Sequence, residues 1–306
     1  MMLPTFLIIG AAKSGTTSLY HYLSQHPEVY MSPLKEPKFF AYEGERLAFN
    51  GPLTRINENS VTTLDDYKKL FADVTNEKAV GEASPIYLHS EKAPERIRRL
   101  IPSARIIAVL RHPADRAFSS YVHLLRNSYE TELDFLKALG KESERKQQNW
   151  APLFYYRERG FYYQQLKRYF TLFDREQIRV YRFDDFVADP KKIMRDIFSF
   201  IGVDASFEPD LTVRYNVSGI PKNRLFHKAA RELQRKGNPV TSLLKIVVPK
   251  PMRKSIRDRL TIAATRNLRR QELPPHIRKM LSDEYREDIL KVQELTGLDL
   301  SPWLES

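Results

Sequence analysis

Lys13 lies inside the run Gly10-Ala-Ala-Lys-Ser-Gly-Thr-Thr-Ser18, whose residue types suit the capture of a phosphate-like anion. An apolar stretch (Phe6 to Ile9) precedes it and a helix-like run through Leu19, Tyr20 and Leu23 follows. In a strand–loop–helix of this kind, backbone N–H groups from Ser14 to Ser18 converge with the positive end of the helix dipole. Lys13 would add a cation, Gly15 the turn, and Thr16, Thr17 and Ser18 hydroxyl donors. In the common phosphate loop G-x-x-x-x-G-K-[ST] the lysine follows the second glycine. Here Lys13 precedes Gly15 by two positions, and Thr16 holds the usual lysine place. A glycine turn capped by Ser or Thr is the plain structural alternative. The strand before, the helix after and the lysine within favour the anion site.

A second candidate is Arg111, which ends the apolar run Arg105–Leu110. The carboxyl end of a buried strand is where ligands collect in open α/β folds. Pro113 suits the first turn of a helix that carries Ser119. A guanidinium fork and a hydroxyl could together hold a second phosphate. An ordinary helix-start ion pair between Arg111 and Asp115 is the competing reading.

The elements that must position these groups alternate along the chain. Strand-like runs at Phe6–Ile9, Ala79–Glu82, Arg105–Leu110 and Ile178–Phe183 are separated by helical patterns at Thr17–His26, Pro94–Ile101, Pro113–Asn127, Phe161–Phe170, Pro190–Ile201 and Asp283–Leu295. The alternation predicts a P-loop-like three-layer α/β/α fold with a central, mostly parallel sheet. Residues 41–78 read as an irregular insertion ending in a short helix, Leu64–Ala72. The 306 residues, 42% apolar with 17 Phe and 16 Tyr, support one large domain spanning 1–306.

Charge is concentrated. Between Lys222 and Lys279 there are 17 Lys or Arg against three acids, so the net +12 belongs to this segment and the remainder is close to neutral. We read 222–279 as a basic helical subdomain, the C-terminal elaboration of the domain. A solvated surface is its default role. Leu243 to Val248, flanked by cations, would give peripheral membrane contact. Nucleic acid is not expected, because no recognised binding motif accompanies the charge. With no cysteine, disulfides and thiolate metal sites are excluded, as suits a reducing cytoplasm. No secretory signal and no run of about 18 apolar residues are visible.

On these motifs the chain resembles the sulfotransferases that use 3′-phosphoadenosine 5′-phosphosulfate. Gly-Ala-Ala-Lys-Ser-Gly-Thr-Thr-Ser-Leu is similar to their 5′-phosphosulfate loop, and Val-Leu-Arg-His-Pro-Ala-Asp-Arg-Ala-Phe-Ser-Ser-Tyr to the element whose Arg and Ser (Arg111, Ser119) grip the 3′-phosphate. Val-Tyr-Arg-Phe-Asp-Asp-Phe resembles the segment whose aromatic residue, Phe183 here, faces the adenine. The C-terminal sequence is also typical of bacterial members. The resemblance implies two anion sites, no metal, and Lys13 stabilising charge on the bridging oxygen as the sulfuryl group leaves.

Lys35-Glu36-Pro37-Lys38-Phe39-Phe40 resembles a motif of heparan-sulfate-type and related bacterial members whose Glu is the catalytic base, which assigns Glu36 that role. Its lysine neighbours would lower the carboxyl pKa and burial against the phenylalanines would raise it. A solvated turn is the alternative reading. His26 is the rival base, though its place at a helix end before Pro27 suits a capping role. Lys35, Glu82, Tyr162 and Gln165 are candidates for the acceptor side, and Lys222 for a loop closing over the donor. Ala83 stands where the heparan enzymes usually carry lysine, and their cysteine pair is missing. The expected acceptor is a hydroxyl of a carbohydrate, glycolipid or small molecule. A nucleotide or small-molecule kinase and a basic non-catalytic binding module are the alternatives.

Overall fold

Buried strands of Val, Ile, Leu and Phe read as continuous apolar runs when a sheet is covered on both faces, and that is the pattern found. The computed structural model describes residues 2–212, 219–221, 268–269 and 271–305. Lys222 and most of the expected basic helical subdomain at 222–279 lie outside the described residues. The chain divides into two compact units, one combining Met1–Tyr121, Glu132–Asn216 and Leu273–Ser306, the other Val122–Thr131 and Val217–Glu272.

The first unit holds a five-stranded sheet: β1 (Phe6–Gly10), β2 (Val29–Met31), β3 (Ala79–Ala83), β4 (Arg105–Leu110) and β5 (Ile178–Arg182), in the order β2-β3-β1-β4-β5. Every neighbouring pair is parallel; Phe6 stands opposite Gly81 on one side and Arg105 on the other. The helices are α1 (Thr16–Leu23), α2 (Phe39–Tyr42), α3 (Leu64–Lys69), α4 (Ala93–Leu100), α5 (Pro113–Arg126), α6 (Phe135–Gly140), α7 (Glu142–Gln147), α8 (Tyr162–Leu172), α9 (Phe183–Ala188), α10 (Pro190–Ile201) and α11 (Pro275–Thr296). In the second unit β6 (Ile220–Pro221) and β7 (Leu268–Arg269) pair antiparallel.

Phe6, Ile8, Ile107 and Val109 pack with Leu19 and Leu23 of α1 and with Ile197, Phe198 and Ile201 of α10. The alternate residues Leu7, Ile9, Ile106 and Ala108 are equally buried, as two covered faces require. Each such large side chain contributes about 1.5–3 kcal/mol by leaving water. Pro113 and Pro190 do begin their helices, and the Asp189 side chain caps α10 by accepting from the Lys192 N–H.

Three departures from the sequence reading have simple causes. The strand Val29–Met31 has three residues, too few to show a period. Phe183 opens α9 and does not extend β5. The last helix begins at Pro275, two turns before the expected start, because Pro274-Pro275 supplies a helix start that reads in sequence as a break. Among the described residues, no helix is long and apolar enough to cross a membrane.

Candidate active site

The loop after β1 is tied down before it reaches α1. The Ala11 N–H donates to the Val109 carbonyl (2.7 Å), and the Ser14 N–H to the Ala11 carbonyl (3.2 Å). Lys13 (φ 74°) and Gly15 (φ 83°) both take left-handed backbone. Such a conformation suits glycine but costs a lysine about 1–2 kcal/mol. Space also favours Gly15, since a Cβ there would lie 3.1 Å from the Phe183 ring and 3.2 Å from Phe186. As the N-cap of α1, Gly15 brings no side chain to the first amides of the helix. The Ser14 hydroxyl is fully buried and has no hydrogen-bond partner among the described residues. A buried orphan hydroxyl beside uncapped amides is what an anion-binding loop leaves for its ligand.

Arg111, one residue past β4, reaches this loop. Its Nη1 donates to the Lys13 carbonyl (3.4 Å), and its guanidinium stands 5.1 Å from the Phe183 ring centre. Its own carbonyl accepts from the Tyr162 hydroxyl (2.9 Å). Asp115, the partner expected for an ordinary helix-start ion pair, instead meets Arg278 at 3.4 Å. Lys13, Gly15, Arg111, Tyr162 and Phe183 therefore form one connected group. Ser119 follows on α5, buried to 4% exposure. Thr16 is buried, and Thr17 and Ser18 are half-buried on the first turn of α1. Tyr162 is fixed from behind: the N–H groups of Tyr162 and Tyr163 donate to Asp288 of α11, which caps α8 where Phe161 cannot. Burial pushes the Asp288 carboxyl up to about 6, against the two amide hydrogen bonds.

Glu36 lies on the loop between β2 and α2. Its N–H donates to the Ala83 carbonyl (3.0 Å), the Lys38 N–H donates to Ser84 Oγ (3.0 Å), and both residues take left-handed backbone (φ 63° and 61°). Lys35 Nζ meets Glu36 Oε1 at 2.7 Å, and Lys38 Nζ donates to the Glu36 carbonyl (3.0 Å). The Glu36 side chain remains 39% exposed. Burial pushes the carboxyl up, but Lys35, Lys38 and Arg159 together outweigh it and hold the group below the usual carboxylate range. The contest left open by the sequence goes to the cations.

Glu82, expected on the acceptor side, has no exposed surface. It accepts from the hydroxyls of Tyr87 (2.5 Å), Ser84 (2.8 Å) and Tyr67 (3.1 Å). Burial pushes its carboxyl up to about 7, against these three donors and Lys38. Through Ser84 it holds the backbone of the Glu36 loop. His26 is likewise structural: buried, it accepts from the Glu28 N–H through Nδ1 and pairs through Nε2 with the Asp204 carbonyl. Gln165 donates to the Phe161 carbonyl (2.6 Å) and lines a narrow, partly open cleft with Ala11, Ala12, His89, Arg116 and Arg159. The sequence reading missed Arg116, Arg159, Tyr67, Ser84 and Tyr87, since no spacing marks side chains that meet from separate elements.

A parallel sheet in this order, with an anion-type loop after its first strand and an arginine at the neighbouring strand end, defines an α/β transferase of the P-loop-like class. The profile described as "Sulfotransferase family" matches residues 4–209, and the chain belongs to that family of enzymes. It is 32% identical over 213 residues to the bifunctional heparan sulfate N-deacetylase/N-sulfotransferase 4 of Mus musculus, covering 66% of this chain and 22% of that protein. With the N-deacetylase/N-sulfotransferase 2 of Bos taurus it shares 31% over 223 residues, 70% of this chain and 24% of the relative. The chain thus spans about a quarter of the curated relatives it matches. The membrane-associated sulfotransferase kil1 of Dictyostelium discoideum is 32% identical over 124 residues, 40% of this chain and 23% of that protein. Among solved structures, a sulfotransferase from Alicyclobacillus acidocaldarius superposes with a TM-score of 0.77 at 34% identity over 99% of both chains.

Proposed function

We propose that the enzyme moves a sulfuryl group from 3′-phosphoadenosine 5′-phosphosulfate to a nucleophile on a carbohydrate or glycolipid. The observation that carries this reading is the connected group of Lys13, Arg111, Phe183 and Gly15, which supports one donor with two anionic ends and an aromatic base between them. The amides from Ser14 to Ser18 and the Ser14 hydroxyl would hold the 5′ end, Arg111 and Ser119 the 3′-phosphate, and Phe183 the adenine. The acceptor oxygen attacks sulfur in line, the bond from sulfur to the bridging oxygen breaks, and adenosine 3′,5′-bisphosphate departs. Lys13 would meet the charge that develops on that bridging oxygen. The acceptor proton passes to Glu36.

The low pKa of Glu36 keeps it ionised in the free enzyme. The anionic donor would raise it again, toward the range in which a carboxylate takes a proton in the transition state. Lys35, Tyr162 and Gln165 would border the acceptor. The heparan relatives named above are N-sulfotransferases, so an amino group is the second acceptor atom to consider; it too must lose a proton to the base. Transfer of labelled sulfate onto carbohydrates, glycolipids and aminosugars tests the reading. Sulfated product on one of these classes is expected. Absence of product throughout, or phosphate transfer from ATP, would overturn it.

A further inference from the structure

The cleft beside the loop carries more positive charge than its protein surroundings answer. Arg116, in the first turn of α5, is 1% exposed and Arg159 is 5% exposed. Arg116 gives Nη2 to the Tyr156 carbonyl, while its Nε and Nη1 are buried with no hydrogen-bond partner. Neither guanidinium forms an ion pair among the described residues. Glu142, a buried carboxylate close enough to feel Arg116, is taken up by the amides of Arg157 and Glu158 (2.7 and 2.9 Å). Burial, then Arg116, pull the Arg159 guanidinium down to about 10. His89, on the same cleft, is driven down to about 3 by burial and by Arg159 and Arg116, so it is neutral. The Tyr42 hydroxyl, within electrostatic reach of Arg159, is also buried without a partner.

Two buried like charges that no carboxylate pairs directly among the described residues are costly, and the orphaned donors of Arg116 add to the cost. A fold that keeps both has another use for them. Ala11 and Ala12, which open the phosphate-type loop, form part of the same cleft, and Arg159 acts electrostatically on Glu36. Both cations thus border the start of the loop, and Arg159 also reaches the Glu36 carboxylate electrostatically.

We infer that Arg116 and Arg159 form an oxyanion subsite between the Lys13 loop and Glu36. The inference rests on the sulfotransferase reading and extends it. The oxyanion is either the sulfonate of the donor or an anionic group, carboxylate or ester, carried by the acceptor.

The test starts from protein saturated with adenosine 3′,5′-bisphosphate, whose 5′-phosphate occupies the loop but which lacks a sulfonate. Calorimetric titration with sodium sulfate, against sodium chloride at equal ionic strength, should show one sulfate bound. Arg159→Gln should weaken that binding at least tenfold and Arg159→Lys much less, with both variants folded by circular dichroism. The two sources separate in the Arg159→Gln protein. If the sulfonate is the occupant, affinity for the phosphosulfate donor falls about tenfold while the bisphosphate is unaffected. If the acceptor supplies the anion, both nucleotides bind as before and KM rises for acidic acceptors only. No sulfate bound to the wild-type complex, or equal binding in Arg159→Gln, would overturn the subsite. Failure of the bisphosphate to bind would instead overturn the donor reading, and sulfate titration of the nucleotide-free protein would still test the arginine pair.

Discussion

The end of this site proposed for the donor and the end proposed for the acceptor are built by different means. At the donor end the work falls to backbone: left-handed turns at Lys13 and Gly15, the first amides of α1, and an arginine fixed by the end of β4. Its charged side chains, Lys13 and Arg111, are half-buried and keep access to water. Around the end proposed for the acceptor, buried polar side chains dominate. Glu82, Arg116 and Arg159 come from β3, α5 and the segment before α8, and each alters the ionisation of a neighbour. A backbone cradle keeps its charge distribution at any pH, whereas a network of buried charges responds to whatever enters it. The contrast is what the proposed reaction would need, with one fixed donor and a selected acceptor.

Four variants would break or sharpen that contrast. Glu36→Gln is expected to lower turnover by roughly 10²–10⁴-fold while leaving binding of the bisphosphate unchanged; surviving turnover would place the base elsewhere. Next is Glu82, whose effect is on stability. Its carboxyl is raised to about 7 in the fold from 4.5 in the unfolded chain. The stability it contributes is intact below pH 4.5 and is lost as pH rises through 7. The change amounts to on the order of 3 kcal/mol. Urea unfolding between pH 4.5 and 8 should show this loss in the wild type and a flatter profile in Glu82→Gln; identical profiles would remove Glu82 from the account. Arg111→Ala should weaken the bisphosphate by about 2 kcal/mol, the worth of a charge-assisted hydrogen bond, with little effect on melting. Asp288→Ala should cost about 1 kcal/mol of stability, as loss of a helix cap does, and a melting curve reads it directly.

The same contrast explains what could be read in advance. The four longer strands and the loop around Lys13 are contiguous patterns, so their residues announce them. Arg111 follows from its position after a strand. Glu82 reads in sequence as an acceptor-side candidate at a strand end, because nothing in Val-Gly-Glu-Ala-Ser-Pro-Ile-Tyr states that Tyr67, Ser84 and Tyr87 enclose it. Arg116 and Arg159 carry no sequence signal for the same reason: they lie on separate elements, and only packing brings them to one cleft. The resemblance singles out Phe183, but its closeness to Gly15 depends on β5 giving way to a helix at that residue. Local geometry leaves a signature in spacing, and long-range burial of charge does not.

In the proposed reaction the loop around Lys13 and the Arg111 element hold the two ends of a single metal-independent donor. Calorimetry with adenosine 3′,5′-bisphosphate in the presence of chelator, beside ATP with magnesium, tests it most directly. Binding of the bisphosphate without metal, weaker binding of magnesium-ATP, and bisphosphate affinity about thirtyfold lower in Arg111→Ala are expected. A preference for magnesium-ATP, or bisphosphate binding indifferent to Arg111, would contradict it.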